Sequence, residues 1–334
     1  MLMLKKTIAA LSLLSILAAC QNDENPSQPE PKPRQDINLT RAEQEFMDKG
    51  TDFAFRFFDQ VCSTEKEKPN VFVSPLSASL CLSMITNGAT DNTLAEMQDV
   101  LGFPANTFSL DDLNNYNQKL TSALLDLDNT TQLGIANSIW IEEGFKVYDS
   151  FVDVNKKMYD AQVQELDFTS PTAKDVINQW CATQTNNCIK EVIQEIPADA
   201  RMYLINALYF KGIWKSQFDK SATGQDNFTN VDGSQQKVAM MNQTATFNYT
   251  QTDDFSIAEL PYGNEAFSMV ILLPSGDKTL DESLPSLNYE NWKQWSKNMV
   301  GKELQIKLPR FKVEYDKELE EDMIAMGKIG RASC

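Results

Sequence analysis

Residues 201–215 read RMYLINALYFKGIWK, and this stretch decides how we interpret the rest of the chain. From 202 to 210 every residue except one is apolar or aromatic, on both of the alternating faces that an extended chain presents. A strand that is apolar on both faces is buried on both, so we expect it in the middle of a large sheet. One face carries Met202, Leu204, Leu208 and Phe210, and the other carries Tyr203, Ile205, Ala207 and Tyr209.

The exception is Asn206, which lies at the centre of the apolar run. A buried amide without hydrogen-bond partners costs roughly 1–3 kcal/mol, so Asn206 needs a specific polar contact. The plainer interpretation is an ordinary core strand with one hydrogen-bonded asparagine. The run ends at Lys211 and Gly212, and Trp214 follows.

The composition excludes several classes of function. The net charge of −17 argues against binding to nucleic acid and against electrostatic docking on anionic lipid. The 334 residues contain no histidine, which removes His-based triads, imidazole acid–base chemistry and most catalytic zinc sites. We therefore expect no catalytic residue, no metal site and no cofactor, and an enzyme is the least favoured class.

Residues 1–20 have the pattern of a secretory signal. Lys5 and Lys6 precede a mostly apolar segment at 7–19, which as a helix would reach only about 20 Å, too short for a bilayer. The segment ends in LAAC at 17–20, which resembles a bacterial lipoprotein signal and implies that Cys20 becomes the lipidated first residue. The alternative is a chance cysteine beside an ordinary cleavage site.

Residues 21–42 form a polar linker that is rich in proline. Such a segment cannot bury a core, so we expect an extended, solvated tether. A lipidated Cys20 followed by a tether predicts an exported outer-membrane or cell-surface protein, anchored to the membrane through that cysteine. The other cysteines are odd in number, and Cys181 and Cys188 would lie too far apart to bridge on a helix, so we expect buried free thiols, with Cys334 exposed.

The folded part follows the tether as one mixed domain without internal repeats. Apolar residues at helical spacing predict helices, and alternation predicts strands. Thr93 and Glu96 fit a capping box, which predicts a helix from 93 to 101. A short strand is predicted to run into Ser74 and Pro75, where a helix begins. The other predicted helices cover 43–61, 110–127, 145–159, 172–188, 280–297 (two short helices) and 318–326, and the other predicted strands cover 133–141, 161–168, 267–273, short segments between 228 and 260, and 303–313.

A series of short blocks resembles the serpin family in the order in which that family carries them. No single block is decisive, but eight blocks in order are specific, and the resemblance covers roughly residues 43–327. The blocks are NVFVSPLS at 70–77, GA at 88–89 continuing to LGF at 101–103, IANSIW at 135–140, 161–168, 204–214, LPY at 260–262, LLP at 272–274 and LPRF at 308–311.

The resemblance implies an α+β serpin fold with a large mixed main sheet of five strands, two smaller sheets and about eight to nine helices. Family inhibitors trap serine proteases when an exposed reactive loop is cut and inserts into the main sheet as a new strand, a form of strand addition that releases stored strain. Residues 201–210 match the strand beside that insertion. Ser74, Ser77 and Asn206 match the family's shutter, and Trp214 matches its breach, where insertion starts.

The resemblance stops near residue 327. In the family the helix at 318–326 is followed by another main-sheet strand, the reactive loop and the last strands of the smaller sheets, and residues 328–334 do not resemble that continuation. We therefore expect an incomplete serpin domain at 43–327 with a non-family tail and no reactive loop, from an interrupted gene or a fragment. Such a chain would be inactive as an inhibitor, with one edge of its central strand unpaired, and it would be poorly stable.

Two functions remain open after this comparison. The first is a surface-anchored serpin, in lineage an inhibitor of serine or cysteine endopeptidases. The second is a non-inhibitory binding or scaffold protein that keeps the fold without the loop. Residues beyond 334 in the native product would distinguish them.

Overall fold

The computed structural model describes residues 2–3, 30–104 and 106–327. Most of the predicted signal, Cys20, the first part of the tether and the tail at 328–334 lie outside the described residues. Within the described part of the chain, no helix is both long and apolar enough to cross a bilayer. The four cysteines described, Cys62, Cys81, Cys181 and Cys188, are free thiols, but only Cys181 is buried and the other three are half-buried, so the predicted burial is wrong for those three.

Nine α-helices form within the described ranges. They are α1 (Arg41–Thr64), α2 (Pro75–Thr86), α3 (Asp91–Leu101), α4 (Leu110–Asp126), α5 (Asp149–Tyr159), α6 (Ala173–Gln184), α7 (Leu280–Ser283), α8 (Tyr289–Lys297) and α9 (Glu320–Gly327). Two 3-10 turns lie at Lys220–Ala222 and Leu284–Ser286.

Helix α1 forms one wall of the main core because its apolar residues recur on one face. Phe46, Phe53, Phe57 and Val61 are all at most 3% exposed. Full burial of such a side chain contributes about 1.5–3 kcal/mol, so this face fixes the position of the helix. Its start is fixed by a capping box in which the Thr40 hydroxyl accepts from the Glu43 amide and the Glu43 carboxylate accepts from the Thr40 amide.

The predicted start of α3 is wrong. The helix begins at Asp91, and its N-cap, Thr90, makes no side-chain capping hydrogen bond. Thr93 is already inside the first turn, so its hydroxyl is not at the position from which a capping box to Glu96 could form. The sequence pattern at Thr93 and Glu96 predicted a helix here correctly but placed its first residue too late.

Nine strands form two sheets within the described residues. They are β1 (Leu2–Met3), β2 (Gln132–Glu142), β3 (Ala161–Leu166), β4 (Met202–Lys211), β5 (Gly224–Thr229), β6 (Gln235–Gln251), β7 (Phe255–Pro261), β8 (Ser268–Pro274) and β9 (Val300–Pro309). One sheet has the order β3-β2-β4, with β2 parallel to β3 and antiparallel to β4. The other has the path β1-β8-β7-β6-β5, and β9 also pairs with β6.

The six-stranded sheet is continuous because β6 is 17 residues long and pairs with three strands along its length. Its first part pairs with β5, its middle and later part with β9, and its last residues with β7. The two smaller sheets that the resemblance implied are therefore joined here through one strand.

Strand β4 has the predicted apolar faces but not the predicted position. Its first face packs against the main core with α1 and α2, and Tyr203, Ile205 and Ala207 on the other face join a second cluster that contains Trp140 and Trp180. We expected β4 in the middle of a large sheet, but among the described residues it lies at the end of a three-stranded one. Both faces contact core residues, but only Ala207 and Leu208 are buried and the other residues from 202 to 210 are half-buried, so the predicted burial of both faces is only partly met.

Candidate functional site

The residues that match the family's shutter lie at the start of α2 and under β4. Ser74 is the N-cap of α2, where its hydroxyl accepts from the Ser77 amide at 3.2 Å and donates to the Ser77 hydroxyl at 2.9 Å. Pro75 occupies the first helical position, where its missing N–H costs nothing. Both serines are buried, so their hydrogen bonds satisfy polar groups at the start of α2 that water cannot reach.

Asn206 finds its polar contact directly across the sheet. In the β2–β4 register it lies opposite Asn137, and its Nδ2 donates to Asn137 Oδ1 at 2.8 Å. Asn137 is 4% exposed, and its own Nδ2 donates to the backbone oxygen of Tyr159 at 2.7 Å. The amide of Asn137 therefore links the central strand to the C-terminal end of α5.

The other end of the Asn206 amide is unsatisfied. Its Oδ1 is buried, and no described group donates to it. Helix α2 packs over this position. Burial raises the pKa of the Cys81 thiol on that helix to about 11, and a hydrogen bond with the Asn206 backbone lowers that pKa by a smaller amount. A buried acceptor without a donor costs about 1–3 kcal/mol, so the site carries an unmet hydrogen-bonding requirement under β4.

The polar layer continues from α5 to α4 and α2. The Tyr159 hydroxyl donates to Asn114 Oδ1 at 2.6 Å and accepts from Asn117 Nδ2 at 3.3 Å. Asn114 and Asn87 exchange amide hydrogen bonds at 2.8 and 3.2 Å. Burial raises the pKa of Tyr159 to about 12, so the phenol remains a neutral donor.

The structure separates the predicted shutter residues into two groups. Ser74 and Ser77 bond to each other, whereas Asn206 bonds to Asn137, and no hydrogen bond within the described ranges joins the two groups. Sequence reasoning missed Asn137 and Tyr159. Asn137 could have been found, because the antiparallel alignment of 132–141 with 202–211 places the only asparagines of the two strands opposite each other.

Trp214 lies just beyond the end of β4, in the position predicted for the breach residue. Its indole stacks on the Tyr262 ring, with centroids 4.4 Å apart and planes at 18°, and an isolated β-bridge joins the two residues. A side chain at Gly212 would come within 2.7 Å of the Tyr262 ring, so glycine is required for this approach. Burial raises the pKa of the Tyr262 hydroxyl well above its usual range.

The free edge of β4 is the largest unpaired feature beside these residues. One edge pairs with β2 along the whole strand, and no described strand pairs with the other. Residues 311–319 have no helix or strand assignment, and Phe311 among them is 37% exposed. At about 3.3 Å per residue, β4 offers roughly 33 Å of open edge to an added strand.

No group of three or more potential metal-ligating side chains occurs in the described ranges.

Comparison with known proteins identifies the family of this chain. The family model described as Serpin (serine protease inhibitor) matches residues 48–329. A serpin-like protein of Methanosarcina acetivorans is 33% identical, over 83% of this chain and 66% of its own length. Human Serpin B3 is 30% identical, over 84% of this chain and 76% of its own length.

Solved structures give the same result. The thermophilic serpin Tengpin in its native state superposes with a TM-score of 0.79 at 30% identity, covering 90% of this chain and 74% of that one. The chain thus spans about two thirds to three quarters of the length of the relatives described here. The α+β serpin fold predicted from the sequence is confirmed by these matches. The chain belongs to the serpin family, many of whose members are protease inhibitors.

Proposed function

We propose that this chain provides the scaffold of a serpin-type inhibitor of serine, or cysteine, endopeptidases, which acts by adding a cleaved reactive loop to β4 as a new strand. The observation that carries the proposal is the open edge of β4 beside the buried, unpartnered Oδ1 of Asn206. A strand added there would pair the exposed backbone groups and could bring a donor to that oxygen. The family match supports the class of target.

The open edge is long enough to make strand addition favourable. A ten-residue strand presents about five N–H and five C=O groups along each edge. Each hydrogen bond that they form contributes about 0.5–1.5 kcal/mol net, and apolar contacts of the added strand contribute more. In the family that the sequence resembles, this energy drives trapping of the protease.

We also propose that Cys20 carries a lipid and that the protein is exported to an outer-membrane or cell surface. The signal-like pattern at 1–20 and the tether that follows it support this localisation.

The test combines intact mass with a covalent-complex assay. Protein from the native cells and the recombinant 334-residue polypeptide are each incubated with trypsin, chymotrypsin, subtilisin and papain, and complexes that survive boiling in SDS are sought. The matched control is each protease with its catalytic nucleophile blocked beforehand.

A native product heavier than residues 20–334 plus acyl chains, forming a complex that the recombinant polypeptide does not form, supports the proposal. A complex formed by the recombinant 334-residue polypeptide itself also supports the inhibitor. A native mass that matches residues 20–334, without any complex, refutes the inhibitor and leaves the non-inhibitory scaffold.

A further inference from the structure

The last part of the tether is bound to the domain by specific hydrogen bonds. Asn129 lies in the connection between α4 and β2, and its Oδ1 accepts from the Lys32 amide at 2.8 Å. Its Nδ2 donates to the Glu30 backbone oxygen at 3.0 Å. One side-chain amide therefore satisfies a donor and an acceptor of the same segment, as a neighbouring strand would do.

A second asparagine, Asn264, binds the same side of this segment. Asn264 Nδ2 donates to the Lys32 backbone oxygen at 3.2 Å and to the Leu127 oxygen at 2.7 Å. The Lys32 ammonium also forms an exposed ion pair with Asp126 at 2.9 Å. Three consecutive polar backbone groups on one side of the segment are thus bound, while its side chains stay exposed.

The sequence of the segment fits this one-sided binding. Pro31 and Pro33 flank Lys32, and proline has no N–H to donate. In an extended chain, neighbouring residues direct their backbone groups to opposite sides, so the prolines lie where an N–H would face solvent. Proline also restricts itself and the residue before it to extended conformations, which lowers the entropy cost of binding.

The bound segment lies next to the turn that carries Tyr262. Asn264 Oδ1 accepts from the Ala266 amide at 2.9 Å, and the Gly263 amide donates to the Ile213 oxygen at 2.8 Å. Asn264 therefore connects the tether to the turn whose Tyr262 stacks on Trp214. Gly263 has φ +39°, and a side chain there would overlap the buried carboxylate of Asp128, so the turn is tightly constrained.

We propose that residues 30–34 form an N-terminal strap, bound by Asn129 and Asn264, which fixes the exit of the tether beside Trp214 and stabilises the turn at 262–266. The strap does not depend on protease inhibition. If Cys20 carries the lipid proposed above, residues 21–30 can span at most about 35 Å, so the strap would keep this end of the domain near the membrane.

Hydrogen exchange can test the strap at a single site. Lys32 provides the only backbone amide between Pro31 and Pro33, so a segment covering 31–33 reports on that amide alone. The full chain is compared with Asn129→Ala, which removes an exposed side chain whose hydrogen bonds in the described ranges go only to the strap. Asn92→Ala is the matched control, because Asn92 is exposed and makes no side-chain hydrogen bond within that part of the chain.

We expect at least about tenfold protection of the Lys32 amide in the unchanged protein and in Asn92→Ala, and loss of that protection in Asn129→Ala. We also expect faster exchange of the Gly263 amide in Asn129→Ala. An unprotected Lys32 amide in the unchanged protein refutes the strap, and an unaffected Gly263 amide refutes its effect on the turn. Neither readout requires the lipid or a protease, so failure of the proposed function leaves the test intact.

Discussion

Replacement of Asn137 by alanine should destabilise the domain more than replacement of Asn206. Asn137→Ala removes the acceptor of Asn206 Nδ2 and the donor to the Tyr159 oxygen. Each buried group left without a partner costs about 1–3 kcal/mol, so the expected loss is about 2–6 kcal/mol. Asn206→Ala breaks one bond but also removes the unpartnered Oδ1, so its expected loss is about 1 kcal/mol or less.

A double-mutant cycle separates this prediction from a general packing loss. In the Asn137→Ala background, Asn206→Ala should restore stability or leave it unchanged, because it removes an amide that no longer has a partner. The free energies of unfolding are measured by urea titration, with a constant m value as the check on two-state behaviour. Asn92→Ala, on the exposed surface, should stay within about 0.5 kcal/mol of the unchanged protein.

The reasoning fails if Asn137→Ala and Asn206→Ala cost the same, or if their costs simply add. Equal costs would mean that the amide pair contributes through packing alone. Additive costs would mean that the two side chains do not interact across β2 and β4.

Three other predictions concern charge and assembly. The 334-residue polypeptide should form dimers or larger species as its concentration rises, because β4 has an open apolar edge; light scattering that shows a monodisperse monomer at all concentrations would contradict this. Lys317→Met should destabilise the protein by about 3 kcal/mol at neutral pH, because its largely buried ammonium forms ion pairs with Glu65 at 3.0 Å and Asp322 at 3.2 Å. Lys312→Met, on the surface, is the control and should have little effect in the same urea titration. The Lys119 ammonium and the Thr40 amide hold the pKa of Glu43 below its usual value of 4.5. Its stabilisation is therefore present above the unfolded-state pKa and is lost as the pH falls through the folded-state pKa. Glu43→Gln should lose less stability than the unchanged protein in thermal melts across that acid range, and Glu45→Gln, at an exposed position without that ion pair, should behave like the unchanged protein.

The sequence predicted the faces of β4 correctly because alternation is a local property. Met202 and Tyr203 point to different cores, as the two-residue period requires. The edge position of β4 was not predictable from those residues, since helices and core side chains can cover a strand as well as further strands do. The bond between Asn137 and Asn206 joins residues 69 positions apart and depends on strand register, which no single stretch specifies.

Two local interpretations were incomplete for a different reason. The capping-box pattern at Thr93 ignored that Asp91 and Asn92 could already be helical, so the first turn was placed too late. The Pro-rich segment was interpreted as a solvated tether because none of its residues can build a core, and its side chains from 30 to 36 are indeed exposed. Its hydrogen bonds to Asn129 and Asn264 use backbone groups, which composition does not reveal.

The strap and β4 differ in how many of their two edges can form backbone hydrogen bonds with another segment. In the strap, alternate prolines remove the donors on one side, so only the edge that faces Asn129 and Asn264 has both donors and acceptors. From 202 to 210, β4 contains no proline, glycine or charged residue, which are the means by which edge strands usually avoid pairing with other chains. Only Arg201 and Lys211, at its two ends, are charged. A strand with this sequence can pair along both edges, and the described fold occupies only one of them, so the open edge of β4 is where we expect a further strand to bind.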